Sequence, residues 1–133
     1  MQLEYSVKTE RRTHFVIIDH LLQKAIDESG IENGVIHVFV PHTTAAVTIN
    51  ENADPNVVRD INTEMEKIVP FHDHYTHMEG NSAAHIKSSL FGVSETILVK
   101  NGRPMFGTWQ SLYFCEFDGP RSRRVWFSVQ KED

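Results

Sequence analysis

The sequence predicts a single α+β domain over residues 1–133, built from mostly antiparallel strands and three helices. A length of 133 residues suits one domain, and a hydrophobic content of 40% argues against a disordered chain. Alternating apolar and polar residues recur along the chain, whereas helical spacing of apolar residues appears in only three segments. The resulting order, β-β-α-β-β-α-α-β-β-β, lacks the regular strand–helix alternation of a parallel sheet.

Seven segments have the spacing and composition of strands. Leu3, Tyr5 and Val7 alternate with polar residues, and the later segments are rich in β-branched and aromatic residues. Residues 118–120, Asp-Gly-Pro, form a turn between the last two. The predicted strands are residues 3–7, 14–18, 35–40, 45–51, 93–99, 104–117 and 123–130.

The first two helices have clear start signals. Asp19 is placed to cap a helix over about residues 20–29. Asp54 is placed to cap the second, and Pro55 fits its first turn, where a missing N–H costs nothing. An apolar face repeats through this second helix, which should end before Pro70.

The third helix is short and begins next to a glycine. Asn81 is placed to cap it, and Gly92 follows its last residue, Phe91. The segment before it, residues 70–81, has no periodicity and is predicted to be a loop. The side chains expected to face inward from this helix are Ala83, Ile86 and Leu90.

Composition disfavours several classes of function. Thirteen basic residues against eighteen acidic ones give a net charge of −5, whereas a general nucleic-acid binder is usually basic. No apolar run approaches the roughly 20 residues of a membrane span, and the N-terminus lacks the apolar core of a signal peptide. The single cysteine, Cys115, favours a reducing compartment. We therefore expect a cytoplasmic protein that binds neither nucleic acid nor membrane.

Histidine is the residue type most suggestive of chemistry in this chain, which contains eight. His42 follows a strand break, and His77 and His85 lie eight residues apart where a loop can fold back onto a helix. We predict that these three converge on one divalent ion, most simply zinc, with an open position for water or substrate. The alternatives are direct binding of phosphate, acid–base chemistry without metal, or exposed polar side chains. The histidines expected to be structural or solvated are His37, His72 and His74.

A phosphate site is predicted where the third helix begins. Gly80 and Asn81 precede free backbone N–H groups at the positive end of the helix dipole, and Lys87 lies further along. Arginine grips phosphate through paired hydrogen bonds, so the arginines of the final turn could complete an anion clamp. Alternatively they form a solvated edge. These arginines are Arg121, Arg123 and Arg124.

Two further segments contain candidate catalytic side chains. Glu51 lies among polar residues before the second helix and is the candidate for acid–base work, or for holding a metal-bound water or magnesium. Gln110 could bind a ligand or satisfy buried backbone. Gly107 is expected to allow close backbone approach within a strand, and Trp109 to lie in the core.

The sequence resembles the YjbQ family, also called the secondary thiamine-phosphate synthase family. The resemblance is carried by residues 94–112, SETILVKNGRPMFGTWQSL, with a glycine followed five positions later by Gly-Thr-Trp-Gln. Residues 42–60, 77–92 and 116–125 also resemble blocks of that family, so the likeness covers essentially the whole chain.

The resemblance implies a β-sandwich with flanking helices, assembled as a homotrimer, and a histidine-lined pocket that can hold a metal. It also implies a weak thiamine phosphate synthase activity, in which a pyrimidine diphosphate joins a thiazole phosphate and pyrophosphate leaves. Magnesium is the alternative metal with a diphosphate substrate. The alternative functions are a metal-assisted hydrolase of a phosphorylated metabolite and a non-enzymatic trimeric metal- or metabolite-binding protein. The polar positions carried over are His42, Thr43, Glu51, His77, Asn81, His85 and Gln110.

Overall fold

The structure, a computed structural model, describes all residues from 1 to 133. It is an α+β fold in which two antiparallel sheets curl into a half-barrel and three helices lie against them. The strands are β1 (Gln2–Lys8), β2 (His14–Ile17), β3 (Gly34–Phe39), β4 (Ala45–Glu51), β5 (Ser94–Lys100), β6 (Arg103–Pro104), β7 (Gln110–Glu116) and β8 (Ser122–Lys131). The helices are α1 (Asp19–Ser29), α2 (Pro55–Ile68) and α3 (Ser82–Phe91).

The two sheets enclose the main core between them. The larger sheet has the strand order β1-β8-β3-β5-β6, and the smaller has the order β2-β7-β4. On β8, Val125 and Phe127 face inward and are fully buried, whereas Arg124 and Trp126 face outward. This alternation is the predicted strand pattern, and it places Ile36 and Val38 of β3 in the same core.

Helix α1 begins where predicted, but its expected cap is wrong. The Asp19 side chain makes no capping hydrogen bond; its carboxylate instead accepts from the Leu112 N–H and the Ser111 hydroxyl, each at 2.7 Å. A carboxylate on the first turn can serve either its own helix or a neighbouring strand, and here β7 is within reach. Asp19 therefore ties α1 to the smaller sheet.

Helix α2 confirms the prediction from its N-terminal residues. Asp54 accepts a hydrogen bond of 2.9 Å from the Asn56 N–H, and Pro55 occupies the first turn. None of the residues of α2 is fully buried, and Ile68 is 62% exposed. The apolar face of α2 is therefore only partly covered within one chain. No helix of the structure is both long and apolar enough to cross a membrane.

Helix α3 lies on the sheet with a different face from the one predicted. Ile86 and Leu90 were expected inside, but both are exposed. The buried side chains are instead mostly small, and the Ser88 hydroxyl donates to the Ala45 carbonyl of β4. Small residues let a helix approach a strand closely, so this face packs inward in place of the larger apolar one. The buried residues of α3 are Ala83, Ala84, Lys87 and Ser88.

The single strand predicted at residues 104–117 is two strands in different sheets. β6 pairs with β5 in the larger sheet, whereas β7 is the central strand of the smaller one. Residues 105–109 cross between the sheets, so Gly107 lies in a crossover and not within a strand. Trp109, expected in the core, is 61% exposed on this crossover. Residue composition alone did not reveal the change of sheet.

Candidate functional site

His42 lies where β3 has left the larger sheet. The last register pair between β3 and β8 is Phe39 with Trp126, and continuing that register would place Pro41 opposite Arg124. The chain turns away from β8 at this point. In place of a backbone carbonyl of β3, the Nε2 of the His42 imidazole accepts the hydrogen bond from the Arg124 N–H at 3.0 Å. Burial lowers the pKa of His42, and the nearby Arg123 charge lowers it further.

His77 and His85 come together from the loop and from α3. Their rings are 5.4 Å apart, centre to centre, and meet edge to face at 88°. His85 is half-buried and His77 is exposed. His85 also lines a depression of about 300 Å³ with His42 and Thr43. The other residues around this depression are Ser88, Ser89 and Val93.

The three histidines do not form a complete metal site within the chain. No group of three or more His, Cys, Asp or Glu side chains is placed to hold a metal ion. His77 and His85 offer two imidazoles, but the Nε2 of His42 already accepts the Arg124 N–H. A catalytic zinc usually takes three protein ligands, and a single chain does not bring three together here. Zinc and magnesium therefore remain predictions.

Asn81 occupies the start of α3 as predicted but does not cap it. Its side-chain amide nitrogen donates to the Asp118 carboxylate at 2.9 Å, while the amide oxygen Oδ1 of the same side chain is buried without a partner. Arg121 donates to the same carboxylate at 2.9 Å. Gly80, just before, is exposed and has a φ of 76°, which favours glycine. The loop and the final turn are thus joined through Asp118.

A buried ion pair, which sequence reasoning missed, lies directly behind these residues. Glu116 is fully buried and bound to Arg123 by two hydrogen bonds, one of 2.8 Å from Nε. Thr9 also donates to Glu116, and Arg123 donates to the Thr44 hydroxyl, both at 2.8 Å. Burial raises the pKa of Glu116, but the hydrogen bonds from Arg123, the Asp118 N–H and Thr9 outweigh burial and leave it lowered. The available signal was a lone Glu within an apolar strand.

The remaining predicted phosphate-binding residues point in different directions. Arg124 is exposed on the outer face of β8, opposite to Arg123, and its guanidinium lies 3.9 Å from Glu4. Lys87 is buried on another face of α3 from His85 and pairs with Glu66 of α2 at 2.9 Å. Residues that neighbour one another in sequence therefore do not form one anion clamp.

Glu51 and Gln110 lie at the far end of β4 from the histidines. They are register partners in β4 and β7, and Gln110 Oε1 accepts the Gly107 N–H at 2.8 Å, which closes the crossover turn. β4 has seven residues, so the two ends are roughly 20 Å apart at about 3.3 Å per residue. We call these two places the glutamate end and the histidine end. The glutamate end consists of Glu51 and Gln110, and the histidine end of His42, Thr43, His77, Asn81 and His85.

Comparison with known proteins gives consistent results. A family model described as UPF0047 protein YjbQ-like matches residues 3–132. The chain is 48% identical to a UPF0047 protein of Methanocaldococcus jannaschii over 97% of this chain and 94% of that one. It is 45% identical to the UPF0047 protein YugU of Bacillus subtilis over 92% of this chain and 94% of that one.

Solved structures show the same fold. The crystal structure of an uncharacterized conserved protein of the YjbQ/UPF0047 family from Clostridium acetobutylicum superposes with a TM-score of 0.94 at 52% identity, covering 96% of this chain and 99% of that one. A hypothetical protein from Aeropyrum pernix superposes with a TM-score of 0.93 at 35% identity over 99% of both chains. None of these names states a reaction. The chain belongs to the UPF0047, or YjbQ-like, family.

Proposed function

We propose that this protein is a small-molecule transferase with a weak thiamine phosphate synthase activity. In this reaction a pyrimidine diphosphate joins a thiazole phosphate, and pyrophosphate leaves with the electron pair of the broken carbon–oxygen bond. The reaction itself comes from the family resemblance. The observation that carries the proposal is the depression of about 300 Å³ at which His42, Thr43 and His85 meet.

The chemistry of the histidine end suits a departing diphosphate. Negative charge develops on the leaving oxygens, and fixed hydrogen-bond donors around that position lower the barrier. Thr43 carries an exposed hydroxyl, and His85 can donate from its ring. Arg123, paired with the buried Glu116, donates a hydrogen bond to Thr44, the residue next to Thr43. This contact fixes the backbone that carries the Thr43 hydroxyl.

The direct test is turnover of the two thiamine precursors with detection of both pyrophosphate and thiamine phosphate. We expect His85→Ala to reduce kcat/KM by at least about tenfold, the lower range for loss of one proton-transfer or charged hydrogen-bonding group. His72→Ala is the control, because His72 is exposed in the loop before α3 and does not line the depression. Equal loss in both variants, or no turnover by the wild-type protein, would contradict the proposal.

We further propose that the protein acts as a homotrimer. The support within one chain is the uncovered apolar surface of two helices: Ile68 on α2 is 62% exposed, and Leu90 on α3 is 61% exposed. Exposed apolar surface of this kind is normally covered by a partner, and the threefold assembly comes from the family resemblance. Light scattering should give about three times the chain mass of 15.3 kDa; a monomer mass at micromolar concentration would contradict it.

Assembly offers a way to use both ends of β4 in one site. The glutamate end and the histidine end are too far apart to act together within a chain, but different copies could supply them. Mixing His85→Ala with Glu51→Gln subunits after reversible dissociation would then restore about one intact site in four, by random pairing around a symmetric ring. Separately inactive variants that stay inactive when mixed would show that the ends do not share a site.

A second candidate is a metal-assisted hydrolase of a phosphorylated metabolite, which the pairing of His77 with His85 favours. It requires a third ligand that this chain does not bring to the pair. Release of phosphate from a single substrate, dependent on added zinc, would support this candidate over the transferase. Binding of metabolite without any turnover would support the third possibility, a non-enzymatic binding protein.

A further inference from the structure

We propose that His42 binds an anionic substrate oxygen as a neutral hydrogen-bond donor through its Nδ1–H, and does not ligate a metal. The proposal rests on the proposed function in one respect, because the oxygen is taken to belong to a phosphate or diphosphate group. It departs from the prediction that His42, His77 and His85 share one ion. The evidence is the position of His42 in the sheet and the chemistry of the groups around it.

The place of His42 in the hydrogen-bond ladder decides the role of Nε2. β8 continues past the last residue of β3, so the Arg124 N–H, which points toward the missing strand, needs an acceptor. His42 Nε2 is that acceptor, at 3.0 Å. A backbone N–H is an obligatory hydrogen-bond donor, also where a strand extends beyond its neighbour. The imidazole therefore substitutes for the carbonyl that a longer β3 would supply.

The role of Nε2 in turn decides the proton on Nδ1. A ring nitrogen that accepts a hydrogen bond must keep its lone pair, so neutral His42 carries its proton on Nδ1. A metal at Nε2 would displace the Arg124 N–H and leave that donor unpaired. A metal at Nδ1 would require the proton to move to Nε2, where it would face the Arg124 N–H directly. Neither arrangement is compatible with the observed contact.

The surroundings of His42 favour an anion. His42 and Thr43 also line a second cavity, of about 400 Å³, together with Arg123. On the other side of His42, Ser88 and Ser89 already donate their hydroxyl protons to backbone carbonyls. The donors still open around His42 therefore include its own Nδ1–H, the Thr43 hydroxyl and the ring of His85, and such donors suit an oxygen acceptor.

The charged groups nearest to His42 do not create a cation site either. Arg123 is buried behind it and carries a positive charge, which Glu116 offsets through their ion pair. The Arg124 guanidinium lies on the outer face, near Glu4. No unpaired carboxylate lines either cavity beside His42. A divalent ion would thus meet no uncompensated negative charge there.

The first test reads the tautomer directly, by long-range ¹H–¹⁵N NMR of the histidine rings in the wild-type protein at pH 7.5. We expect His42 to show a protonated Nδ1 and an unprotonated, hydrogen-bonded Nε2, both without additions and with zinc ions. Inorganic pyrophosphate should shift the Nδ1 signal. A protonated Nε2, or a zinc-induced shift typical of a metal-bound nitrogen on His42, would overturn the proposal.

The second test separates donor from ligand by substitution. His42→Gln keeps an acceptor for the Arg124 N–H and an N–H donor in one side chain, whereas His42→Ala keeps neither. Pyrophosphate affinity, measured by calorimetry, should fall about tenfold in His42→Ala and stay within about threefold of wild type in His42→Gln, the range for one hydrogen bond to a charged group. Zinc affinity should be the same in all three proteins. Loss of zinc binding in His42→Gln, or unchanged pyrophosphate affinity in His42→Ala, would overturn it.

These readouts do not depend on catalysis. If the transferase proposal fails, the wild-type protein makes no thiamine phosphate, yet the tautomer and the pyrophosphate affinities retain the values expected here. If the role of His42 is wrong, the ring signals or the variant affinities change whether or not turnover occurs. Circular dichroism checks that both variants are folded, and the NMR experiment needs no variant.

Discussion

The histidine end and the glutamate end of β4 carry similar polar residues but use them differently. At the glutamate end, the Gln110 side chain serves the fold by closing the crossover turn, and the Tyr113 hydroxyl donates to the backbone carbonyl of Glu51 at 2.8 Å. At the histidine end, His85 and Thr43 face an open depression. A polar side chain is therefore free to bind a ligand only where the hydrogen-bonding groups of the nearby backbone already have partners.

The two ends also differ in what supports them. The histidine end is backed by the buried pair of Glu116 and Arg123, which connects the end of β7, the start of β8 and the loop before β4. The glutamate end is held by neutral hydrogen bonds and by Asp19 of α1, bound to Ser111. We expect that breaking the buried ion pair lowers the free energy of unfolding far more than removing a neutral hydrogen bond does.

The largest expected effect is therefore that of Glu116→Gln. This change leaves the Arg123 guanidinium buried without a counter-charge, and breaking a buried ion pair at one partner typically costs about 3 kcal/mol or more. Urea unfolding followed by circular dichroism measures the change. Glu64→Gln is the control, because Glu64 forms only an exposed pair with Lys67, at 3.7 Å. A loss below about 1 kcal/mol in Glu116→Gln would show that the pair is not the main support.

The same pair predicts a dependence of stability on pH. The pKa of Glu116 in the folded protein lies below its ordinary value of 4.5, so the folded state binds fewer protons there than the unfolded state. The stabilisation is then fully present above the ordinary value and is lost as the pH falls through the folded pKa. Urea unfolding between pH 6 and pH 3 should show this loss (these limits span the range around 4.5). An equally steep loss in Glu116→Gln would assign the pH dependence to other carboxylates.

A smaller effect is expected for Gln110→Ala at the glutamate end. The substitution removes the acceptor of the Gly107 N–H, and a neutral hydrogen bond contributes about 1 kcal/mol. Chemical denaturation measures this loss. Hydrogen exchange should also show faster exchange of the Gly107 amide. If stability is unchanged while turnover falls at least about tenfold, Gln110 acts on the substrate, and the contrast between the two ends is wrong.

The smallest effect is expected for Arg124→Ala. Its side chain is 65% exposed, and its guanidinium lies 3.9 Å from Glu4, on the face of β8 opposite to Arg123. Pyrophosphate affinity should change by less than about twofold, because the Arg124 charge is exposed to solvent on the outer face of β8 and is screened by salt. Calorimetry at low and moderate salt makes the measurement. A larger, salt-sensitive loss would place Arg124 in the anion site and extend the histidine end to the outer face.

Much of the fold could be predicted because its signals are local. Asp54 and Pro55 start α2 through contacts within one helical turn, and Gly30 ends α1 in the left-handed conformation that glycine favours. The alternation along β8 sets which side chains enter the core, as Val125 and Phe127 show. The antiparallel α+β class follows from the same patterns.

The orientation of α3 and the division of residues 104–117 could not be predicted in this way. Ile86 and Leu90 fit an apolar stripe, but close packing on β4 favoured the face with Ala84 and Ser88. The strand pattern continued through Trp109, although the chain changes sheets there. Both outcomes depend on which surface lies opposite, and residue spacing contains no information about that.

The candidate site divides along the same line. By itself the sequence identified the chemical groups and their local settings. These are His42 after Pro41, the two histidines His77 and His85 that a loop can bring together, and a helix start at Asn81. Only the tertiary structure decided how each group is used, because that depends on partners distant in the chain. The Arg124 N–H, 82 positions along the chain, donates a hydrogen bond to the Nε2 of His42. Glu116 likewise forms an ion pair with Arg123 across the turn between β7 and β8. The length of β4 separates Glu51 from the histidines.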